Sequence, residues 1–192
     1  MQKIYQRLAS KLEGLGYARD ELVFGVGDET SPIVLLGEAP GKDEVAQGRP
    51  FVGRAGKNLE EFLAFTGLRR ERLFVTNVVK FRPCVSSGQG RLRNRPPTAQ
   101  EIALCRSCLE EELAAIAPRL VVTLGNTALG ALAEGSKIGQ VHGRALETGR
   151  DFSIFPLYHP ASVIYNPKLR EVYLADLNSL RVYLAEQPWA AE

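Results

Sequence analysis

The sequence predicts an α/β fold: a single three-layer α/β/α domain, residues 1–192, with a central, mostly parallel four-stranded sheet. Apolar runs of strand length alternate with segments of helical period, the pattern of a parallel sheet covered on both faces. The runs are uniformly apolar, as in strands that are buried on both sides. A length of 192 residues fits one domain.

The elements follow from the apolar pattern. Four runs are predicted to form the sheet, at residues 33–36, 73–79, 120–124 and 153–157. A shorter strand is expected at 23–24. Apolar positions at helical spacing predict helices at 2–15, 56–65, 98–117, 126–133 and 169–184. Thr98 followed by Glu101 is a capping box at the start of the third helix. The polar stretch 84–97 is expected to be a loop.

Composition and net charge leave the class of protein open. The net charge is +2 and 45% of the residues are hydrophobic, so bulk charge does not indicate a nucleic-acid partner. No apolar run reaches the length of a membrane span, and the amphipathic N-terminal segment lacks the core of a signal peptide. We expect a soluble, cytoplasmic monomer without membrane contact.

Local charge is more informative than net charge. Residues 69–95 carry one acidic side chain, Glu71, against eight basic ones, which are Arg69, Arg70, Arg72, Lys80, Arg82, Arg91, Arg93 and Arg95. Such a stretch forms either an ordinary solvated face or a surface that follows DNA phosphates. The sequence leaves both interpretations open.

Polar loops follow two of the predicted strands. Residues 37–44 read Gly-Glu-Ala-Pro-Gly-Lys-Asp-Glu after the 33–36 strand, and residues 158–162 read Tyr-His-Pro-Ala-Ser after the last strand. The carboxyl ends of parallel strands meet at one edge of a sheet, where open α/β folds bind their ligands. The two loops therefore predict an active site at that edge.

Both of these loops contribute to a set of four motifs, which are residues 37–41, 50–56 (Pro-Phe-Val-Gly-Arg-Ala-Gly), 76–80 (Thr-Asn-Val-Val-Lys) and 159–162 (His-Pro-Ala-Ser). In this order and spacing the motifs resemble the uracil-DNA glycosylase superfamily, most closely its family 4. The resemblance extends from about residue 23 to residue 180. It implies the fold predicted above and a pocket that receives a base flipped out of DNA.

By this resemblance Gly37, Ala39 and Gly41 line the base pocket, and Phe51 stacks on the flipped base. Asn77 reads the base, because an amide presents a donor and an acceptor together to the O4 and N3–H edge of uracil. The residues alone leave simpler interpretations open: Phe51 as a core side chain, and Asn77 as the cap of a turn.

His159 resembles the family's catalytic histidine, which donates a hydrogen bond to the charge that develops on uracil O2 as the N-glycosidic bond breaks. Glu38 is the candidate for placing the attacking water. Other branches of the superfamily carry Asp where this chain has Ala39, so no direct base is assigned there. Glu44 is expected near C5 of uracil, where it helps to exclude thymine. His142 matches no catalytic motif and is interpreted as structural.

The resemblance also implies contacts with the DNA strand. Gly53, Arg54 and Ser162 are expected to bind phosphates, together with neighbouring loop amides. Val163 and Ile164 lie in the segment that enters the minor groove in relatives, where apolar wedges help to kink DNA.

Family 4 enzymes usually hold a [4Fe–4S] cluster on four cysteines. Two of these cysteines form an N-terminal Cys-x-x-Cys, which is absent here, because the only cysteines of this chain are Cys84, Cys105 and Cys108. Phe81 stands where a third ligand would follow Lys80, and only Cys105 keeps its place. We therefore expect no cluster and no other cofactor. Two alternatives stay open: a metal site that adds a non-cysteine ligand to the three cysteines, or cysteines that pack as small apolar side chains on a helix face.

The predicted function is that of a monofunctional DNA glycosylase, which removes uracil or a related deaminated or modified base and leaves an abasic site. Its partner is DNA that carries such a base. The alternatives are a non-catalytic, damage-sensing DNA-binding protein of the same fold, and a nucleotide-binding domain with an incomplete phosphate loop at 37–42. One related branch traps uracil-DNA covalently with a histidine in an arginine-rich loop, and Asn94 is the residue of this chain nearest to the position of that histidine. Asparagine is not a comparable nucleophile, so no such trapping is expected.

Overall fold

The computed structural model describes residues 1–87 and 91–190, and it leaves the side chains of residues 54, 55, 58, 164 and 165 undescribed. The strands are β1 (Val26–Gly27), β2 (Ile33–Gly37), β3 (Phe74–Asn77), β4 (Cys84–Ser87), β5 (Arg91–Asn94), β6 (Leu120–Leu124) and β7 (Ser153–Leu157). The helices are α1 (Gln2–Glu13), α2 (Lys42–Gln47), α3 (Arg54–Thr66), α4 (Ala99–Ile116), α5 (Asn126–Leu132), α6 (Ile138–Val141), α7 (Pro160–Tyr165) and α8 (Leu169–Ala185).

The main sheet has the strand order β1–β3–β2–β6–β7. The last four strands in this order are parallel, with Gly37 level with Asn77 and Leu36 level with Thr123. The predicted parallel, four-stranded core is confirmed, and β1 adds a two-residue antiparallel edge. The expected strand at 23–24 is wrong by three residues: Val23 donates one backbone hydrogen bond to Lys80 (2.7 Å) without entering a ladder.

Two apolar clusters cover the two faces of the sheet. Alternate strand residues such as Val34 and Val121 pack against α1, α4 and α5, while their neighbours Leu35 and Val122 pack against α3 and α8. Each fully buried aliphatic or aromatic side chain stabilises the fold by about 1.5–3 kcal/mol. The three-layer α/β/α arrangement is therefore confirmed. Across the described residues, no helix combines the length and apolarity needed to span a bilayer.

The chain order creates a crevice at the carboxyl edge of the sheet. After β2 the chain adds β3 on one side, and it then crosses to the other side of β2 to form β6. Ligands of open α/β sheets bind at such a switch point, because the loops that follow the two neighbouring strands separate there. This edge carries the loops after β2, β3, β6 and β7.

A buried ion pair secures the end of β3. The ammonium of Lys80 lies 2.5 Å from Glu112 Oε2 on α4, and both side chains are fully buried. The same ammonium donates to Thr76 Oγ1 and to the Asn77 carbonyl, each at 2.7 Å. Removing one member of a buried pair costs about 3–5 kcal/mol, because the other charge is left uncompensated. The pair therefore ties the backbone of Asn77 to α4.

The structure differs from the sequence prediction in the stretch expected to be a loop. β4 and β5 pair antiparallel there, with Cys84 opposite Asn94 and Ser87 opposite Arg91. Strand patterning was hard to see because both strands are polar and largely exposed, so no buried face imposes an apolar alternation. The short helices α2 and α7 were also missed. His159 caps α7 and Pro160 opens it, which is a favoured start for a helix.

Candidate active site

A cavity of about 660 Å³ opens at the carboxyl edge of the sheet. Most of the predicted site residues meet in its wall, which is formed by Glu38, Ala39, Pro40, Gly41, Lys42, Asp43, Glu44, Phe51, Asn77, Pro83, Asn94, Arg95, Pro96, Leu124, Gly125, Asn126, His159, Ala161 and Ser162. Most of the wall segments converge here because they end or follow β2, β3, β6 and β7 of the main sheet. Phe51 instead comes from the connection between α2 and α3, and Asn94 ends β5 of the separate two-stranded sheet.

Gly37 is not itself among the wall residues, but it lies directly behind two of them, Asn77 and Phe51. A Cβ atom at this position would lie 2.3 Å from Asn77 Oδ1 and 2.5 Å from Phe51 Cζ. Real Cβ atoms do not approach other atoms so closely, so only glycine fits without displacing one of the two side chains. The requirement is one of space, set by the alignment of Gly37 with Asn77 across β2 and β3.

The amide of Asn77 is buried and available. The residue is 3% exposed, and its side chain makes no hydrogen bond with the described part of the chain. Burying an amide without a partner costs free energy, whereas a ligand that supplies both a donor and an acceptor recovers that cost. Asn77 therefore offers a paired donor and acceptor at the wall of the cavity.

Phe51 is held in an unusual backbone conformation. Its φ of 54° is in the left-handed region, which costs an aromatic residue of order 1–3 kcal/mol and persists only where the surroundings enforce it. Arg70 supplies that restraint, since its guanidinium donates to the Phe51 carbonyl (3.1 Å) and the Pro50 carbonyl (2.8 Å). The Phe51 carbonyl also packs so closely on Gly56 that a Cβ there would lie 2.2 Å away.

His159 faces Phe51 across the cavity. Their ring centroids are 6.2 Å apart and their planes differ by 26°. His159 Nδ1 accepts the backbone N–H of Ala161 (3.2 Å), so the proton of the neutral ring resides on Nε2. Burial lowers the pKa of His159 below 6.5, and the charge of Glu44 opposes this effect. The result is a neutral imidazole with a single N–H donor.

The carboxylate of Glu38 is oriented by a residue of α5, the helix that follows the neighbouring strand β6. The hydroxyl of Thr127, on α5, donates a short hydrogen bond to Glu38 Oε2. The Glu38 carbonyl accepts the N–H of Val79 at 3.0 Å. One carboxylate oxygen is thus engaged, and the carboxylate as a whole borders the cavity. Thr127 was not identified as a partner of Glu38 by sequence reasoning, because 89 residues separate the two.

Glu44 joins the loop before α2 to the loop before α3 through hydrogen bonds. Its carboxylate accepts the N–H groups of Gly41 (3.0 Å), Val52 (3.2 Å) and Gly53 (2.7 Å). The predicted phosphate contacts through the amides near Gly41 and Gly53 would require Glu44 to release these groups. The carboxylate also lines the cavity, so it contributes both to the shape of the two loops and to the wall they form.

The β4–β5 hairpin closes one side of the cavity. Asn94 at its end lines the wall, and Arg82 Nε donates to Asn94 Oδ1 at 2.6 Å. This bond turns the amide nitrogen of Asn94 towards Gly41, where a Cβ would lie 3.3 Å from Asn94 Nδ2. Sequence reasoning placed Asn94 in a loop and gave it no role in the pocket.

The residues expected to bind the DNA strand do not all lie at the cavity. Ser162 borders the cavity and donates its backbone N–H to the His159 carbonyl (2.8 Å). Val163 is half-buried and packs against the core between α3 and α8. The side chains of Arg54 and Ile164 fall outside the description. Their roles, with that of Val163 as a wedge, stay predictions.

His142 lies away from the cavity wall. Its Nδ1 is 2.9 Å from both carboxylate oxygens of Asp176, and its ring packs on Tyr158 with centroids 4.9 Å apart. Burial raises the pKa of Asp176, and the hydrogen bond from His142 counteracts that shift. The pair joins α6 to α8, in keeping with the structural interpretation of His142.

The cysteines do not fit a four-thiolate cluster. Cys105 and Cys108 are buried on α4, and burial raises the pKa of both thiols, to about 12 for Cys108. Cluster ligands are thiolates. One of the missing ligand positions, the one after Lys80, is occupied by Phe81, whose ring packs on Tyr17 with centroids 4.2 Å apart. Within residues 1–87 and 91–190 no three His, Cys, Asp or Glu side chains form a metal-binding group. The absence of a cluster stays a prediction.

Fold and site together define an α/β protein with a cavity of about 660 Å³, lined by polar and aromatic side chains, at the switch point of its sheet. The sequence matches the family model of the Uracil DNA glycosylase superfamily over residues 24–180. It is 42% identical over 164 residues to the type-4 uracil-DNA glycosylase of Archaeoglobus fulgidus, covering 81% of this chain and 78% of that one. The chain belongs to the uracil-DNA glycosylase superfamily, which confirms the resemblance drawn from its four motifs.

The chain is also similar to a second type-4 enzyme and to one solved structure. The type-4 uracil-DNA glycosylase of Thermotoga maritima is 35% identical over 173 residues, which cover 88% of this chain and 86% of that one. A solution structure of a putative uracil DNA glycosylase from Methanosarcina acetivorans superposes with a TM-score of 0.47 at 15% identity, over 84% of this chain and 98% of that one.

We predict that Arg70→Lys lowers kcat/KM for uracil release about tenfold. A lysine cannot hold the two carbonyls as a planar guanidinium does, so Phe51 loses its fixed position, and base stacking of this kind contributes about 1–3 kcal/mol. Arg69→Lys is the control, because Arg69 is exposed and its side chain makes no contact with the described residues. Steady-state kinetics of both variants check the prediction, and wild-type kcat/KM in Arg70→Lys would contradict it.

We predict that His159 is a neutral Nε2–H tautomer at pH 7. Because burial lowers its folded pKa below 6.5, the unfolded chain takes up the proton first as pH falls. His159 therefore reduces folding stability progressively below pH 6.5, down to its folded pKa. Nitrogen-15 NMR of labelled histidine, assigned with His159→Gln, reads the tautomer directly. An imidazolium signal from His159 at pH 7 would rule the assignment out.

Proposed function

We propose that this chain is a uracil-DNA glycosylase, which hydrolyses the N-glycosidic bond of a uracil flipped out of DNA and leaves an abasic site. The observation that carries the proposal is the Asn77 amide, which is 3% exposed, has no hydrogen-bond partner among the described residues, and shares one cavity wall with Phe51 and His159. Membership of the superfamily supports it, as does similarity to type-4 uracil-DNA glycosylases over most of the chain.

Recognition of uracil follows from the unpaired amide. Asn77 can donate to O4 and accept from N3–H of uracil, whereas cytosine presents the reverse pattern at the same edge. A site built to hydrogen-bond its ligand rejects an analogue that leaves its buried groups unpaired by roughly 10⁴–10⁵-fold. Flipping costs a few kcal/mol in lost stacking and pairing, and stacking on Phe51 offsets part of that cost. In this proposal Glu44 faces C5 and disfavours the methyl group of thymine.

The proposed reaction breaks the bond between C1′ of the sugar and N1 of uracil. The bonding electron pair leaves with the base and its charge spreads onto O2, where the Nε2–H of His159 donates a hydrogen bond. Removing one such donor from a preorganised site typically costs about 10²–10³-fold in rate. Burial favours this arrangement, since electrostatic interactions are stronger away from water.

Water completes the hydrolysis in this proposal. Glu38, oriented by Thr127, positions a water molecule that bonds to C1′, and the proton this water loses neutralises the departing base. The buried Lys80 ammonium takes no part in this reaction, because it is held by Glu112, Thr76 and Asn77. The chemistry needs no cofactor, and we propose that the chain acts as a monofunctional monomer.

We predict alkali-dependent cleavage of a uracil-containing oligonucleotide, and loss of at least about a hundredfold in rate with His159→Ala or Asn77→Ala. Parallel oligonucleotides carry hypoxanthine, xanthine or 5-hydroxymethyluracil. Asn178→Ala is the matched control, because Asn178 lies exposed on α8. Gel analysis with and without alkali follows each reaction.

Each outcome of this assay has a distinct meaning. Uracil release that collapses in both site variants and survives in the control supports the proposal. Strand cleavage without alkali would contradict the monofunctional reaction. Release of another base only would contradict uracil as the substrate, and no release at all with DNA binding intact would favour the damage-sensing alternative.

A further inference from the structure

The segment that contains the β4–β5 hairpin is strongly positively charged. The stretch from Arg82 to Pro97 contains four arginines and no acidic residue. Two of these arginines form internal bonds and two do not, so the segment divides into a tethered base and a charged outer part.

Arg82 and Arg95 tether the base of the hairpin. Arg82 donates to Asn94 Oδ1 (2.6 Å) and to the Leu92 carbonyl (3.3 Å). Arg95 makes a two-pronged bond to Glu101 on α4, at 2.6 and 2.7 Å. Those bonds lower the pKa of Glu101 to about 2, so the tether is ionised throughout the neutral range. The base of the hairpin is thus fixed relative to the cavity and to α4.

The side chains of Arg91 and Arg93 have no polar partner in the described part of the chain. Both are exposed, and neither side chain forms a hydrogen bond or an ion pair with another described residue. Their cross-strand partners are Ser87 and Val85, so no carboxylate lies opposite either guanidinium. Successive side chains along a strand point to opposite faces. Arg91 and Arg93 are two residues apart, and they therefore project from the same face of β5.

The position of these arginines matches a DNA backbone that enters the cavity. Arg95, directly after β5, lines the cavity, and Arg93 and Arg91 precede it by two and four residues in the same alternation, which is about 7 and 13 Å of extended chain. A DNA strand carries one phosphate per roughly 3.4 Å of helix axis. Phosphates that flank a nucleotide in the cavity therefore lie within reach of both guanidinium groups.

We propose that the β4–β5 hairpin is a DNA-binding arm, in which Arg91 and Arg93 bind backbone phosphates beside the flipped nucleotide. This inference rests on the proposed function, since that function puts DNA at the cavity. Guanidinium groups suit phosphate because they donate two parallel hydrogen bonds to it. An arm of this kind contributes affinity and orientation without reading sequence.

The test measures binding to undamaged duplex DNA, which the enzyme does not consume. Fluorescence anisotropy gives Kd over a range of salt concentrations for wild type, Arg91→Ala/Arg93→Ala and Arg91→Lys/Arg93→Lys. Arg72→Ala/Arg119→Ala is the charge-matched control. These two arginines are exposed and precede β3 and β6, at the opposite edge of the sheet from the cavity.

We predict that the hairpin double alanine variant weakens binding at least about tenfold near 0.1 M salt, and that it reduces the slope of log K against log[salt] by about 2, close to one unit per lost phosphate contact. The lysine variant retains most of the slope and the control stays within about twofold of wild type. Equal weakening by the hairpin and control variants would overturn the arm, since net charge would then explain the loss. Unchanged binding in the hairpin variant would overturn it as well.

The experiment separates this inference from the function on which it rests. Uracil release by the wild-type protein is measured alongside binding. Loss of DNA affinity in the hairpin variant without uracil release by wild type would refute the glycosylase and retain the arm. Uracil release by wild type with unaltered DNA affinity in the variant would retain the glycosylase and refute the arm.

Discussion

The site depends on a single close approach at Gly37. Because β2 and β3 are parallel and in register, Gly37 lies level with Asn77, and Phe51 folds back over both. The absence of a side chain at Gly37 lets an amide and an aromatic ring occupy the same corner of the cavity. In the proposed function, a base that enters this corner meets a stacking face and a hydrogen-bonding edge together, which is the combination needed to select one base.

Three residues around that corner are each held by a polar contact from a different element. Arg70 holds the backbone of Phe51, Lys80 holds that of Asn77, and Thr127 holds the carboxylate of Glu38. These contacts come from the connection before β3, the segment after it, and α5. Preorganisation of this kind removes the need to reorder the site when the base enters.

Much of this arrangement could be predicted from the sequence, because the apolar runs identify buried strands and the motifs place Glu38, Asn77 and His159 at strand ends. What could not be predicted depends on contacts between distant segments. The Thr127–Glu38 bond spans 89 residues, and the restraint on Phe51 comes from Arg70, 19 residues away. The β4–β5 hairpin escaped prediction for another reason: its strands have no buried face, so no alternation marks them.

The most direct test of this account is the rate of uracil release by Gly37→Ala, with Gly130→Ala as the control. An alanine at Gly37 must displace Asn77 or Phe51, whereas a Cβ on Gly130, in α5, meets no atom within 4 Å. We predict that Gly37→Ala folds, melts cooperatively and loses about a hundredfold in rate, as expected for a misplacement of about 1 Å in a catalytic site, while Gly130→Ala keeps the wild-type rate. A wild-type rate in Gly37→Ala would contradict the account.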